Sequence, residues 1–118
     1  KVVAVDMAID CGPQINPERI RAQMEGGAVM GLSLALSGEI SFDQGRVVQS
    51  NFFDFTVLRH AESPRTIRTH LVNNNHEVPP GGVGEPPVPP VAPALFNAIF
   101  AATGKRIRQL PLRDQLQA

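Results

Sequence analysis

Hydrophobic and polar positions alternate loosely over the first ten residues and then recur at helical spacing. Lys1–Asp10 is rich in Val and Ile, which predicts a β-strand. Cys11-Gly12-Pro13 is a breaker that ends this strand. Beyond it, apolar or small residues recur every three or four positions, which predicts one face of a helix. These residues are Ile20, Met24, Gly27, Gly31 and Leu34 or Ala35.

Both ends of this first helix carry sequence signals. Asn16 is a good N-cap, Pro17 suits the first turn, and Glu18 places an acid at the positive end of the helix dipole. We expect the helix to run to about Ser37, with Gly38 as its stop.

Three further strands are expected after this helix. Glu39–Phe42 and Arg46–Gln49 flank Asp43-Gln44-Gly45, a pattern typical of a hairpin. Thr66–Val72 alternates and predicts another strand. Between them lies an irregular extended stretch with aromatic residues on both faces, namely Phe52, Phe53 and Phe55.

A proline-rich loop and a second helix complete the pattern. Val78–Pro93 holds seven of the eleven prolines, which predicts an extended loop. The helix should begin near Pro90 to Pro93 and end at Gly104. We expect Ile107–Leu112 to form a short last strand and Arg113–Ala118 to be frayed. The apolar stripe of the second helix comprises Val91, Ala94, Leu95, Ala98, Ile99 and Ala102.

Together these elements predict an α+β fold. We expect three to five strands in a small mixed or antiparallel sheet, with two main helices packed on one face. A length of 118 residues suits a single domain, 1–118, and a hydrophobic content of 42% suffices for a core. Because the chain begins with Lys1 in a strand already under way, we expect it to be a piece of a longer polypeptide or a processed chain.

The charge and cysteine content exclude several classes of function. Eleven basic and eleven acidic residues cancel, so there is no global electrostatic case for nucleic acid or an anionic membrane. No apolar run approaches the roughly 20 residues that span a bilayer. The single cysteine, Cys11, excludes an internal disulfide and is typical of a small buried apolar residue.

Metal binding by this chain alone is not expected. The histidines His60, His70 and His76 form neither an i, i+4 pair nor a cluster with Cys11. Two small basic groups fit helix ends and solvated faces, with phosphate binding as the alternative. They are Arg19 with Arg21, and Lys105, Arg106 and Arg108.

Three glycines inside the first helix are costly. Gly26, Gly27 and Gly31 each cost roughly 1 kcal/mol relative to Ala within a helix. Close packing of the helix onto a sheet would compensate, and so would close approach of a bulky ligand. The two explanations are compatible.

A carboxylate between glycines and prolines is the main candidate for chemistry. Glu85 lies in Gly81-Gly82-Val83-Gly84-Glu85-Pro86-Pro87, where glycines permit close backbone approach and prolines stiffen the exit. An exposed acid in an ordinary linker has the same composition. Pro86–Pro90 also matches the spacing of a polyproline ligand, so a binding module that presents this run to a partner protein is an alternative.

The combined pattern closely resembles the C-terminal end of molybdenum hydroxylase large subunits. This is the xanthine dehydrogenase and aldehyde oxidase family, and within it the chain resembles the isoquinoline 1-oxidoreductase β-subunit or aldehyde dehydrogenase type. The resemblance covers nearly the whole chain. In chain order, it rests on Val5-Asp6, Asp10-Cys11-Gly12, Asn16-Pro17, Arg21–Gly27, Gly31-Leu32, Gln49–Phe52, Asp54, Leu58-Arg59, Gly81–Pro87, Pro89–Leu95 and Asn97–Gly104.

The resemblance implies specific roles. Glu85 matches the family's active-site base, and Gln23 matches the glutamine that lies against the molybdopterin cofactor. Gly26, Gly27, Gly82 and Gly84 would allow backbone approach to that cofactor. The implied reaction is base-assisted hydroxylation of an aldehyde or an N-heterocycle, with electrons leaving through an iron–sulfur small subunit.

The resemblance also implies what this segment lacks. Family subunits are much longer, and the cofactor is usually molybdopterin cytosine dinucleotide with molybdenum. We expect residues 1–118 alone to be inactive and cofactor-free, with the remainder of the large subunit as the main partner and a homo-oligomer as an alternative. The sequence identifies neither the substrate nor the compartment, since family members occur in the bacterial cytoplasm and periplasm.

Overall fold

A computed structural model describes residues 1–117, and over that range the chain folds into four strands and two long helices. The α+β class is confirmed. In chain order the elements are β1 (Ala4–Ile9), α1 (Pro17–Leu36), β2 (Phe42–Asp43), β3 (Arg46–Val47), β4 (Thr66–Leu71) and α2 (Val91–Thr103), with a short 3₁₀ helix at His60–Glu62 before β4.

The strands form two separate two-stranded sheets. β1 and β4 pair in parallel, with Ala4 opposite Thr66 and Ile9 opposite Leu71. Parallel strands need a crossover connection, and α1 lies within it. β2 and β3 form the expected antiparallel hairpin. Its two-residue turn, Gln44-Gly45, has φ of 45° and 78°, the positive values that a type I′ turn requires.

α1 packs on the parallel sheet and has the termini that its sequence predicts. The Asn16 side chain accepts a hydrogen bond from the Arg19 N–H at 3.1 Å, which caps the first turn. The last turn closes when Ser37 and Gly38 both donate to the Ser33 carbonyl. The core lies between helix and sheet and consists of Met7, Ile9, Cys11, Ile20, Met24 and Ala28.

α2 packs against α1 and leaves most of its apolar stripe outside a closed core. Gly104 ends the helix with φ 72°, and its N–H donates to the Phe100 carbonyl at 2.8 Å. Val91 is the buried residue of α2. The rest of the stripe faces an apolar groove of about 1110 Å³ between α2 and β1, which we call the β1–α2 groove.

The prediction of a last strand at Ile107–Leu112 is wrong. This segment crosses the end of α1, where the N–H groups of Leu112 and Arg113 donate to the carbonyls of Ala35 and Leu36 at 2.8 and 2.9 Å. Those carbonyls lack partners within the helix, so the segment satisfies them instead of joining a sheet. Ile107 and Leu112 are buried by this arrangement.

The fraying predicted for Arg113–Ala118 is also wrong as far as Gln117. The Gln115 amide donates to the carbonyls of Gln109 and Pro111 at 3.1 and 2.8 Å. Arg113 pairs with Glu39. Ala118 lies outside the described residues.

The stretch with three phenylalanines is a turn and not an extended segment. The Asp54 carboxylate accepts from the N–H groups of Asn51 and Ser50, which lowers the pKa of Asp54. Phe52 and Phe53 are 73% and 84% exposed as a result. None of the six phenylalanines is buried, so aromatic side chains contribute little to the core described here.

Candidate functional site

A hydrogen bond links Gln23, the predicted cofactor contact, to the backbone just before Glu85, the predicted base. The Gln23 Nε2 on α1 donates to the Gly84 carbonyl oxygen at 2.8 Å. Gly84 directly precedes Glu85. The structure therefore brings Gln23 next to Glu85, although 61 residues separate Gln23 from Gly84 in sequence.

Two helix glycines contact the segment that follows Glu85. A Cβ built on Gly27 would lie 2.3 Å from Pro87 Cγ, and one on Gly31 would lie 2.7 Å from Val91 Cβ. Real Cβ atoms do not approach other atoms so closely. The cost of these glycines is thus offset by packing, but against the proline-rich loop and α2 and not against the sheet.

Glu85 itself is exposed, and it lies between two concavities. Pro86 and Pro87, on one side, line the β1–α2 groove. Gly84, on the other side, lines a second cavity of about 520 Å³. The Glu85 carbonyl accepts from the Val88 N–H at 3.0 Å, which closes a turn around the two prolines. The backbone of Glu85 is held, and its carboxylate faces solvent.

The second cavity contains two of the five residues predicted to contact the cofactor. Gln23 and Gly84 line it together with Arg19, Cys11 and Gly81. A Cβ on Gly26, Gly82 or Gly84 would meet nothing within 4 Å, so all three present bare backbone to open space. Such a surface lets a large polar ligand approach the main chain.

The end of β1 anchors the start of the glycine-rich loop. The Gly81 N–H donates to the Cys11 carbonyl at 2.8 Å. Gly12 has φ 68°, and a Cβ there would lie 3.1 Å from the Pro79 carbonyl oxygen. Cys11 is buried, as its sequence context predicts. Gly81 therefore ties the loop to the segment that follows β1, and Gly84 ties it to α1.

An ionic cluster that the sequence does not predict lies on the outer face of the parallel sheet. Arg68 Nε donates to Asp6 Oδ1 at 2.6 Å, and His70 Nε2 lies 3.2 Å from the same oxygen. These hydrogen bonds, Arg68 first, lower the pKa of Asp6 from 3.8 to about 2. The parallel register, which only the structure reveals, places these three side chains together.

Two further observations concern residues 1–117, and a third concerns Pro86–Pro90. That range contains no group of three or more His, Cys, Asp or Glu side chains able to hold a metal ion. It also contains no helix long and apolar enough to cross a membrane. The polyproline alternative meets an obstacle too, because Pro87, the second residue of Pro86–Pro90, is fully buried against α1.

Comparison with known proteins gives consistent matches. Residues 1–64 match the molybdopterin cofactor-binding domain family. The isoquinoline 1-oxidoreductase subunit beta of Brevundimonas diminuta is 37% identical over 109 residues, which is 92% of this chain and 14% of that protein. A Cu,Mo-CO dehydrogenase structure superposes with a TM-score of 0.71 at 31% identity, over 90% of this chain and 14% of that one.

A third match supports the fold. Quinoline 2-oxidoreductase from Pseudomonas putida 86 superposes with a TM-score of 0.79 at 24% identity, over 94% of this chain and 15% of that one. This chain spans about one seventh of the length of each of these relatives.

The fold, the loop held on α1 and these matches define a molybdopterin-type cofactor-binding domain. The chain belongs to the molybdopterin cofactor-binding domain family. Its relatives carry the names of oxidoreductases and of oxidoreductase subunits. The residues present fit one edge of such a cofactor, since Gly84 offers bare backbone and Gln23 and Arg19 offer polar groups along one cavity.

Proposed function

We propose that this chain is part of the large subunit of a molybdenum-dependent oxidoreductase that hydroxylates an aldehyde or an N-heterocycle. In this proposal Glu85 is the active-site base. The observation that carries it is the 2.8 Å hydrogen bond from Gln23 to Gly84, which joins the matched cofactor residue to the residue beside the matched base. The name of the Brevundimonas relative, an isoquinoline oxidoreductase subunit, supports the choice of an N-heterocycle as one substrate class.

The division of labour in this proposal is simple. The molybdenum cofactor, when bound, supplies oxygen transfer and accepts the electrons. Glu85 accepts a proton at a carboxylate oxygen, which requires an approach of roughly 2.6–3.2 Å to the donor. Its exposed carboxylate and held backbone suit this task, provided that the rest of the subunit encloses it.

The same surface would hold the cofactor, which we propose to be the cytosine dinucleotide form. Gln23 would contact it through its amide, and Gly26, Gly82 and Gly84 would contact it through bare backbone. Gly27 lies beneath Pro87 and would support this surface from below.

The remainder of the large subunit and an iron–sulfur small subunit are the proposed partners. The β1–α2 groove is about 1110 Å³ in volume and apolar. Large exposed apolar surfaces are typical of sites that another protein segment covers. Residues 1–118 by themselves would hold no molybdenum, because Gln23 and Glu85 cannot enclose a dinucleotide cofactor. Metal analysis of the purified segment tests this, and one molybdenum per chain would contradict it.

A substitution in the full-length subunit tests the role of Glu85. Glu85→Gln keeps the shape and removes the proton acceptor, so turnover of isoquinoline or an aromatic aldehyde should fall at least roughly 10²-fold. Molybdenum content should stay at the wild-type level. Glu77→Gln, an exposed glutamate earlier in the same loop, is the matched control and should keep its activity. Wild-type turnover in Glu85→Gln would refute the proposal.

A further inference from the structure

One ridge of α1 carries all three contacts to the segment around Glu85. Gln23, Gly27 and Gly31 are spaced by four residues and therefore share one helix face. Their partners follow in the same order along the chain: Gly84, Pro87 and Val91. The loop thus runs alongside α1 for about two helical turns before it becomes α2.

The packing along this ridge leaves no room for an added methyl group at Gly27 or Gly31. A Cβ on Gly27 would be 2.3 and 2.6 Å from the Cγ and Cβ of Pro87, whose ring is fully buried. A Cβ on Gly31 would be 2.9 Å from the Val88 carbonyl oxygen as well as against Val91. A proline ring and a backbone carbonyl cannot turn aside as a flexible side chain can. In contrast, a Cβ on the neighbouring Gly26 would enter open space.

Glu85 lies between the first two of these contacts. Gly84, just before it, is held by the Gln23 amide, and Pro87, two residues after it, sits on Gly27. The turn between them is closed by the bond from the Val88 N–H to the Glu85 carbonyl. No contact along the ridge involves the Glu85 carboxylate, so the ridge holds its backbone and leaves its acid group available.

We infer that Gln23, Gly27 and Gly31 form a positioning ridge for Glu85, which sets the distance of its carboxylate from the reacting group. This inference rests on the proposed function for the role of the carboxylate, but the contacts themselves do not. A methyl group on Gly27 would displace Pro87 by about 1 Å to restore ordinary contact, and a misplacement of this size costs about 10²-fold in rate.

The first test measures the backbone directly in the full-length assembled protein. Hydrogen exchange at the Val88 amide reports on its bond to Glu85. Gly27→Ala should speed this exchange about tenfold or more, and Gly26→Ala, whose added methyl group meets no atom of the loop, should change it less than about twofold. Gln23→Met keeps the side-chain length but removes the donor, and should speed exchange about fivefold.

A compensating substitution separates positioning from general damage. Pro87→Gly removes the ring atoms that the new methyl group would meet. The Gly27→Ala, Pro87→Gly double variant should therefore exchange more slowly at Val88 than the product of the two single effects. Equal effects of Gly26→Ala and Gly27→Ala, or strictly multiplicative behaviour of the double variant, would overturn the inference.

Kinetics then connect the ridge to Glu85. With isoquinoline or an aromatic aldehyde as the probe, Gly27→Ala should lower kcat about 10²-fold and change KM less than about threefold, because the base is misplaced while binding persists. The double variant should recover part of kcat. A change in KM alone would overturn the link to the base. If Glu85→Gln keeps full turnover while Val88 exchange behaves as expected, the proposed function fails and the backbone contacts stand.

Discussion

At the scale of single residues, a glutamate serves as a base when its backbone is fixed and its carboxylate remains free to meet a proton. Glu85 has both properties: its carbonyl accepts from Val88, and its side chain is exposed. The family resemblance alone marks Glu85 and Gln23. It could not predict the bond from Gln23 to Gly84, because a partner 61 residues away depends on how α1 and the loop pack.

Asp6 shows what a linear sequence cannot reveal about charges. Asp6, Arg68 and His70 meet only because β1 and β4 pair in this register. The pKa of Asp6, lowered to about 2 from 3.8, means that the ionised form is favoured in the folded chain. The stability that Asp6 contributes is therefore complete above about pH 4 and is lost as the pH falls through about 2.

Asp6→Asn should therefore lower the melting temperature at pH 7 by a measurable amount, and this difference should shrink as the pH falls through about 2. Thermal unfolding of both proteins across this range checks the sign. Asp43→Asn, at an exposed aspartate of the hairpin, is the control and should show a smaller difference at pH 7. A difference for Asp6→Asn that is larger at pH 2 than at pH 7 would contradict the assignment.

At the scale of elements, the helices were predictable because their signals are local. Asn16 and Gly104 mark helix ends through backbone chemistry that acts within a few residues. The segment Ile107–Leu112 was wrongly predicted to be a strand because its apolar residues are typical of one. A strand also needs a neighbouring strand with which to pair. The end of this segment instead donates hydrogen bonds to the free carbonyls at the end of α1, and no local sequence pattern predicts this packing.

Two glycines with equal space around them isolate the effect of backbone conformation. A Cβ would meet nothing within 4 Å at Gly26 or at Gly104, but Gly104 has φ 72° and Gly26 is helical. Gly26→Ala should raise the free energy of unfolding by up to about 1 kcal/mol. Gly104→Ala should lower it by about 1–2 kcal/mol because of the left-handed conformation. Urea unfolding of both variants measures the difference, and changes of the same sign would contradict it.

At the scale of the whole molecule, residues 1–117 carry apolar surface that they do not cover themselves. Phe52 and Phe53 are exposed, and the predicted stripe of α2 faces the β1–α2 groove. The stripe was predictable from helical periodicity, but its partner was not, since periodicity shows that a face is apolar without showing what packs on it. Relatives about seven times longer provide ample chain for that purpose.

A pair of alanines on α2 tests whether this groove is filled in the full-length subunit. Ala98 lines the groove, whereas Ala101 is exposed outside it. Ala98→Arg would force a charge into an apolar interface, so the yield of molybdenum-loaded subunit should fall about tenfold or more. Ala101→Arg should load normally. Equal yields from the two variants, measured by metal analysis, would show that the groove stays open.

The parallel pairing of β1 with β4 also determines when the site can exist. Gln23 leaves the ribosome long before its partner Gly84, which follows 61 residues later, and β1 must wait for β4 in the same way. Contacts of such long sequence separation form late in folding. A nascent chain that ends before Gly84 therefore presents Gln23 without its partner, and the hydrogen bond between them can form only after this loop has been synthesised.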